Sequence, residues 1–189
     1  MSLLHEAALR YAEEGYPVFP CVPGGKKPLT AHGFQDATTD PAQINAWWTA
    51  HPEANIGMPT AGLIVIDIDG ADNPWPVDSN KRRDLGECPV SFTPRGGQHS
   101  IFRLPEGKSW RNTAGKLAPK VDTRADGGYI VLPPSVVGGV AYRWNGGPGL
   151  AGGSASLPEP PVWLTELIDG SGTPLSALTC PRLCDHIQS

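Results

Sequence analysis

The chain has 189 residues and a net charge of −4, with 39% apolar residues, six Trp and only 18% charged residues. That is too hydrophobic and too weakly charged for a disordered coil, although 23 Gly and 21 Pro make it turn-rich. The longest apolar-rich run, Leu63 to Ile68, is too short to span a bilayer, and the acidic balance argues against a protein that merely coats nucleic acid.

Ser2 is placed to cap a first helix whose stripe is Leu4, Ala7, Ala8, Tyr11 and Ala12, with Gly15 as its stop. Tyr16 to Val22 reads as a proline-interrupted edge strand, followed by the loop Pro23 to Pro28. Asp40-Pro41-Ala42-Gln43 starts a second helix, with Ile44, Trp47 and Trp48 on its apolar face and Pro52 as its end. Leu63 to Asp69, closed by Gly70, is the strongest strand of the sequence. Ser91 to Thr93 and Gln98 to Leu104 read as a hairpin joined by Pro94-Arg-Gly-Gly97. Val121 to Thr123 and Tyr129 to Leu132 read as two further strands around the Asp126-Gly-Gly128 turn, ended by Pro133-Pro134. Gly138 to Gly153 reads as loop with one strand around Tyr142 to Trp144, and Pro161 to Ile168 as a last helix packing Trp163, Leu164 and Leu167. Helices at both ends with strands between them predict an α+β fold.

The chemistry gathers in the middle of the chain. Asp67 and Asp69 are two apart in a strand and so leave one face, with Ile64, Ile66 and Ile68 on the other. Paired carboxylates repel and call for a neutralising partner, for which a divalent cation is one answer and an exposed strand end before a turn is another. His99 follows Gly96-Gly97, where the chain can pass close to a ligand, and shares a face with Ile101 and Arg103. Asp122 shares a face with Arg124 and is a candidate third carboxylate. From Arg95 to Arg124 seven bases stand against two acids, so positive charge is concentrated there. Trp75 and Trp110 are candidate stacking platforms, with core packing as the alternative for each. The four cysteines are scattered and read as reduced thiols; Cys180, Cys184 and His186 are a faint metal motif without a second ligand pair, and no structural zinc is expected.

The order and spacing of these motifs resemble the bifunctional DNA primase/polymerase N-terminal domain of the archaeo-eukaryotic primase superfamily. The resemblance is carried by Asp67-Ile-Asp-Gly70, Gly96-Gly-Gln-His99 and Val121-Asp-Thr-Arg-Ala-Asp-Gly-Gly-Tyr-Ile-Val-Leu-Pro-Pro-Ser135. Ala12 to Pro20, Gly25 to Pro28, Ala37 to Asp40, Ala46 to Trp48, Asn55 to Gly57 and Pro160 to Leu164 also look like it, so it runs from about residue 5 to about residue 168. It implies an RRM-like sheet beside an N-terminal αβ unit, a catalytic domain over residues 1–170, and a tail or linker over 171–189. It also implies template-dependent nucleotidyl transfer in replication of a plasmid, phage or mobile element. By the same resemblance Asp67, Asp69 and Asp122 hold two Mg²⁺ or Mn²⁺ ions. His99 contacts the NTP or dNTP, with Gly97, Arg103, Arg124 and Lys27 beside it, and Arg95, Lys108, Arg111, Lys116 and Lys120 follow single-stranded template and primer. Many superfamily members carry Ser where this chain has Gly97, so a hydroxyl contact to phosphate is missing. A helicase domain is a common fusion partner in such proteins; a cytoplasmic location and no membrane contact are expected, since the N-terminus lacks the pattern of a secretory signal. Two other readings remain open: a D-x-D metal-dependent glycosyltransferase, and a catalytically silent DNA-binding module of a replication initiator.

Overall fold

The computed structural model describes residues 1–171. In chain order the elements are α1 (Leu3–Glu13), β1 (Phe19–Cys21), α2 (Pro41–Ala50), β2 (Asn55–Pro59), β3 (Leu63–Ile68), α3 (Ser79–Asp84), β4 (Val90–Phe92), β5 (Gln98–Arg103), β6 (Thr113–Ala118), β7 (Val121–Arg124), β8 (Tyr129–Leu132), β9 (Val136–Val137), β10 (Val140–Ala141), β11 (Arg143–Trp144) and α4 (Val162–Ser171). A six-stranded antiparallel sheet runs β11-β4-β5-β3-β7-β6, a three-stranded antiparallel sheet runs β1-β2-β8, and β9 pairs with β10 as a hairpin. The fold is mixed α+β, as the element order predicted.

Local chemistry accounts for the first two helices. The Ser2 hydroxyl accepts from the His5 amide at 3.2 Å, and the chain leaves α1 through Gly15 at φ +87°. The Asp40 carboxylate accepts from the Ala42 amide at 3.0 Å, with Pro41 opening α2. Both helices bury their expected stripes, Leu4, Ala7, Ala8, Tyr11 and Ala12 from α1 and Ile44 with Trp48 from α2. The Trp48 indole N–H donates to the Ala54 carbonyl at 2.9 Å, which removes the cost of burying that polar atom.

β3 sits near the middle of the large sheet, and two apolar clusters cover its two faces. Leu63 and Val65 join Ile101 in a cluster built with α1, α2 and the small sheet. Ile64, Ile66 and Ile68 join Phe102, Trp110, Leu164 and Ile168 in the other cluster, beneath α4. A continuous run of aliphatic residues is the signature of such a doubly buried strand. The small sheet packs on the first cluster through Ile56, Met58, Ile130 and Leu132. The end of β3 therefore emerges where the two sheets meet.

Several expectations need correcting. The strand expected over Tyr16 to Val22 shortens to β1, at the edge of the small sheet, because its prolines limit the ladder. The structure adds α3, capped by Asp78, the β9–β10 hairpin around Gly138-Gly139, and the strands β2 and β6, none of which was expected from the sequence. In α4 it is Leu164 and Ile168 that are buried, while Leu167 points outward at 38% exposure. Trp110 is a core residue, 9% exposed, whose indole N–H donates to Asp169 at 2.9 Å. Trp75 packs edge-on against Trp163 at 6.0 Å. Trp110 is thus a core residue, while Trp75 is half-buried and packs against the edge of the same cluster. Cys21 and Cys88 are buried free thiols, pushed up to about 12 by that burial. Cys180, Cys184 and His186 lie outside the described residues. Among the described residues no helix is long and apolar enough to cross a membrane.

Candidate active site

One row across the large sheet carries the titratable groups. Asp67 on β3 is directly opposite His99 on β5 and directly opposite Asp122 on β7. Opposed residues in antiparallel strands leave the same face, with Cβ atoms about 4.5–5.5 Å apart. The row continues through Ser91, opposite His99, to Trp144, opposite Ser91. Deeper in β3 the same face carries Val65 and Leu63, so an apolar surface turns ionisable only at the strand's last turn of pleat.

Two carboxylates placed opposite each other are destabilising unless a cation joins them. Arg124 does so: its Nη2 lies 3.0 Å from Asp122 Oδ2 and 3.5 Å from Asp67 Oδ2. The Gly115 amide donates to the other Asp122 oxygen at 2.9 Å. His99 Nε2 lies 3.4 Å from Asp67 Oδ1. Burial alone would push the Asp67 carboxyl up. The His99 hydrogen bond and charge, with the charges of Arg124 and Lys26, outweigh burial and hold it below the usual carboxylate value.

Asp67, His99 and Arg124 open onto a cleft of about 290 Å³ between the two sheets, together with Lys26, Phe34, Asn112, Tyr129 and Tyr142. Phe34 and Tyr129 form an aromatic wall, their ring centroids 5.7 Å apart. The Tyr129 hydroxyl donates to the Lys26 carbonyl at 3.1 Å and so ties that loop to β8. The Asn112 side chain accepts from the Ala125 amide at 2.8 Å and steadies the turn leading to β8. The Tyr142 ring lies 6.0 Å from that of His99. Burial, followed by the nearby Asp67 charge, pushes its phenol up to about 12, so it stays protonated and able to donate.

The remaining sequence candidates fall in different places. Asp69 lies just past β3, exposed, with its amide donating to the Lys120 carbonyl at 2.9 Å. Its carboxylate has no hydrogen-bond or ion-pair partner among the described residues. Gly97 is pressed against this strand end: a Cβ there would lie 2.2 Å from the Ile68 carbonyl oxygen. A side chain at this position therefore requires the strand end to move. Arg103 stands opposite Leu63 at the other end of β3 and pairs with Glu159 at 2.9 Å, away from the acidic row. Lys27 is exposed and does not line the cleft, whereas its neighbour Lys26 does.

Lys108 pairs with Asp169 at 2.6 Å beside Trp110. Arg95 at the β4–β5 turn, Arg111, Lys116 on β6 and Lys120 at the β6–β7 turn are exposed. Sequence reasoning missed Lys26, Phe34, Asn112, Tyr129 and Tyr142. A Lys-Lys pair is visible in the sequence, but which of its members faces inward depends on a loop path that no periodicity encodes.

The donors at the strand end are hard carboxylate oxygens. Among the described residues no three His, Cys, Asp or Glu side chains are gathered closely enough to hold a metal ion as they stand. A guanidinium occupies the space between two of the acids. Carboxylate oxygens are the donor type that Mg²⁺ or Mn²⁺ takes.

The sequence profile described as bifunctional DNA primase/polymerase, N-terminal, matches residues 8–163. The chain belongs to this family. Among curated proteins no sequence matches it. The matched span runs from within α1 through β11 and contains every residue of the cleft just described.

Proposed function

We propose that this prim-pol chain is a template-dependent nucleotidyltransferase whose reaction centre is the row His99–Asp67–Asp122, with the exposed Asp69 just past the end of β3. The single observation that carries this reading is that row: two opposed carboxylates and a histidine on one rung, bridged by a guanidinium from the next position of β7 on the same face, with Asp67, His99 and Arg124 opening into a cleft with an aromatic wall. The six-stranded sheet, packed against an N-terminal αβ unit, supports the primase-type catalytic core that the motifs suggested.

The residues divide by charge and reach. Asp67, Asp122 and Asp69 would hold Mg²⁺ or Mn²⁺, which when bound neutralises triphosphate charge and activates the attacking 3′-hydroxyl. Arg124 and Lys26 face the same cleft and attract the polyphosphate. Arg124 has two alternatives of similar electrostatic worth, the carboxylates it now bridges or an incoming phosphate. His99 directs Nε2 toward Asp67 and stands beside the cleft as a contact for the nucleotide's phosphates. The Tyr142 hydroxyl is a protonated donor on the same wall. Phe34 and Tyr129 offer apolar faces for base or sugar. The exposed Arg95, Arg111, Lys116 and Lys120 supply a sequence-independent, salt-sensitive grip on single-stranded DNA.

The Arg124 bridge is also the observation that favours the second reading, a catalytically silent DNA-binding module, because it neutralises Asp67 and Asp122 without any metal. One assay separates them: single-stranded template, with and without primer, Mg²⁺ or Mn²⁺, and either nucleotide set. Incorporation by the wild type that Asp69→Ala abolishes, with the melting temperature unchanged, supports the enzyme. No incorporation under any of these conditions, with template binding intact, supports the silent module.

A further inference from the structure

Among the described residues, two buried polar atoms beside the cleft have no partner. His99 is 5% exposed; its Nε2 faces Asp67 and its Nδ1 makes no hydrogen bond. Ser91 is fully buried and its Oγ is also unpartnered. The two residues are directly opposed on β4 and β5, so their side chains leave the same face. Tyr142, 1% exposed, packs against the imidazole. Buried polar groups nearly always find a partner, and two orphans side by side can satisfy each other.

The chemistry of the ring determines which atom donates. A neutral imidazole has one N–H and one acceptor nitrogen. An ionised carboxylate only accepts, so with Asp67 ionised the 3.4 Å contact at Nε2 is favourable only with the proton there. Nδ1 is then an acceptor and needs a donor. The Ser91 hydroxyl, opposite His99 on β4, can donate and has no partner among the described residues.

We propose that Ser91 is a positioning residue for His99: its hydroxyl donates toward Nδ1, directly or through one buried water, and so holds the imidazole with Nε2–H aimed at Asp67 and the cleft. The kinetic consequence rests on the nucleotidyl-transfer reading above; the hydrogen bond itself does not. A histidine held this way meets the nucleotide already oriented, whereas one free to flip its ring or change tautomer presents the donor only part of the time.

Nitrogen-15 NMR of the imidazoles, with the ring neutral, tests the hydrogen bond without any activity. The wild type should show His99 protonated on Nε2, with Nδ1 as a hydrogen-bonded acceptor. Ser91→Ala should move the Nδ1 resonance or mix the tautomers while leaving the amide spectrum essentially intact. It should raise the nucleotide KM about threefold to tenfold, the scale of one buried hydrogen bond, with kcat and template affinity little changed. Ser91→Thr, which keeps the hydroxyl, should restore both signals. Protonation of His99 on Nδ1 in the wild type overturns the proposal, and so does an Nδ1 resonance unmoved in Ser91→Ala. Should the alanine variant fail to fold, the wild-type and threonine spectra still decide. A wild type that makes no product refutes nucleotidyl transfer and leaves the NMR test standing.

Discussion

Arg124→Ala probes how the acidic row is held together. In the wild type one guanidinium spans Asp122 at 3.0 Å and Asp67 at 3.5 Å, and both carboxylates are mostly shielded from water. The gross attraction at an effective dielectric near 20 is about 5 kcal/mol for each pair. Most of it is offset by desolvation, by side-chain ordering and by the guanidinium's own partial exposure, which leaves a net loss of about 1–2 kcal/mol on truncation. For a domain of this size that is roughly 2–8 °C in melting temperature.

The dependence on pH carries its own sign. Asp67 is held below its ordinary value in the folded chain. Its contribution to stability is therefore present above the unfolded value, near 3.9, and is lost as pH falls through the lower folded value. Removing Arg124 weakens that depression, so the gap between wild type and variant should be full near neutrality and shrink below about pH 4. Urea midpoints across this range measure it. Mg²⁺ adds a second arm, because two opposed carboxylates without their guanidinium should bind a cation more readily, and millimolar Mg²⁺ should stabilise the variant more than the wild type. Equal stability at neutral pH, or a gap that widens in acid, refutes the bridging role.

His99→Ala should lower nucleotide kcat/KM about tenfold to a hundredfold, the scale of a hydrogen bond to a charged group, while sparing template affinity. Replacing Lys116 and Lys120 together should do the reverse, weakening template binding and flattening its salt dependence in a titrated binding assay. Gly97→Ser should cost about 1–3 kcal/mol by urea denaturation, because its Cβ would meet the Ile68 carbonyl and force the strand end to move. A serine tolerated at full stability would show that the β4–β5 turn can withdraw from Asp69.

How much of the site could be read in advance depends on the range of the interaction concerned. Asp67 and His99 were visible because each follows or precedes a strong local signal, an aliphatic strand and a Gly-Gly turn. The expectation that Asp122 faces the same side as Asp67 rested on the family resemblance and holds in the register. Arg103 was placed with His99 because they share a face, which is true, yet four residues along β5 carry it to Glu159. Alternation tells which face a side chain takes, not how far along the sheet it stands from a ligand.

The amino-acid sequence alone determined the helix caps at Ser2 and Asp40, the aliphatic strand at β3, and the turns that end these elements. Each depends on interactions within a few residues: a side-chain oxygen meeting an amide, a glycine accepting positive φ, an aliphatic run avoiding water. Tertiary structure alone decided that Arg124 bridges Asp67 and Asp122, that Lys26 rather than Lys27 faces the cleft, and that Ser91 lies behind His99. It also decided that β6 becomes a strand at all, since its residues pair only because β7 is already held against β3. The physical reason is that strand register and loop path minimise free energy over many distant contacts at once. A side-chain period of two residues constrains the face of each strand but leaves open which residues of neighbouring strands meet.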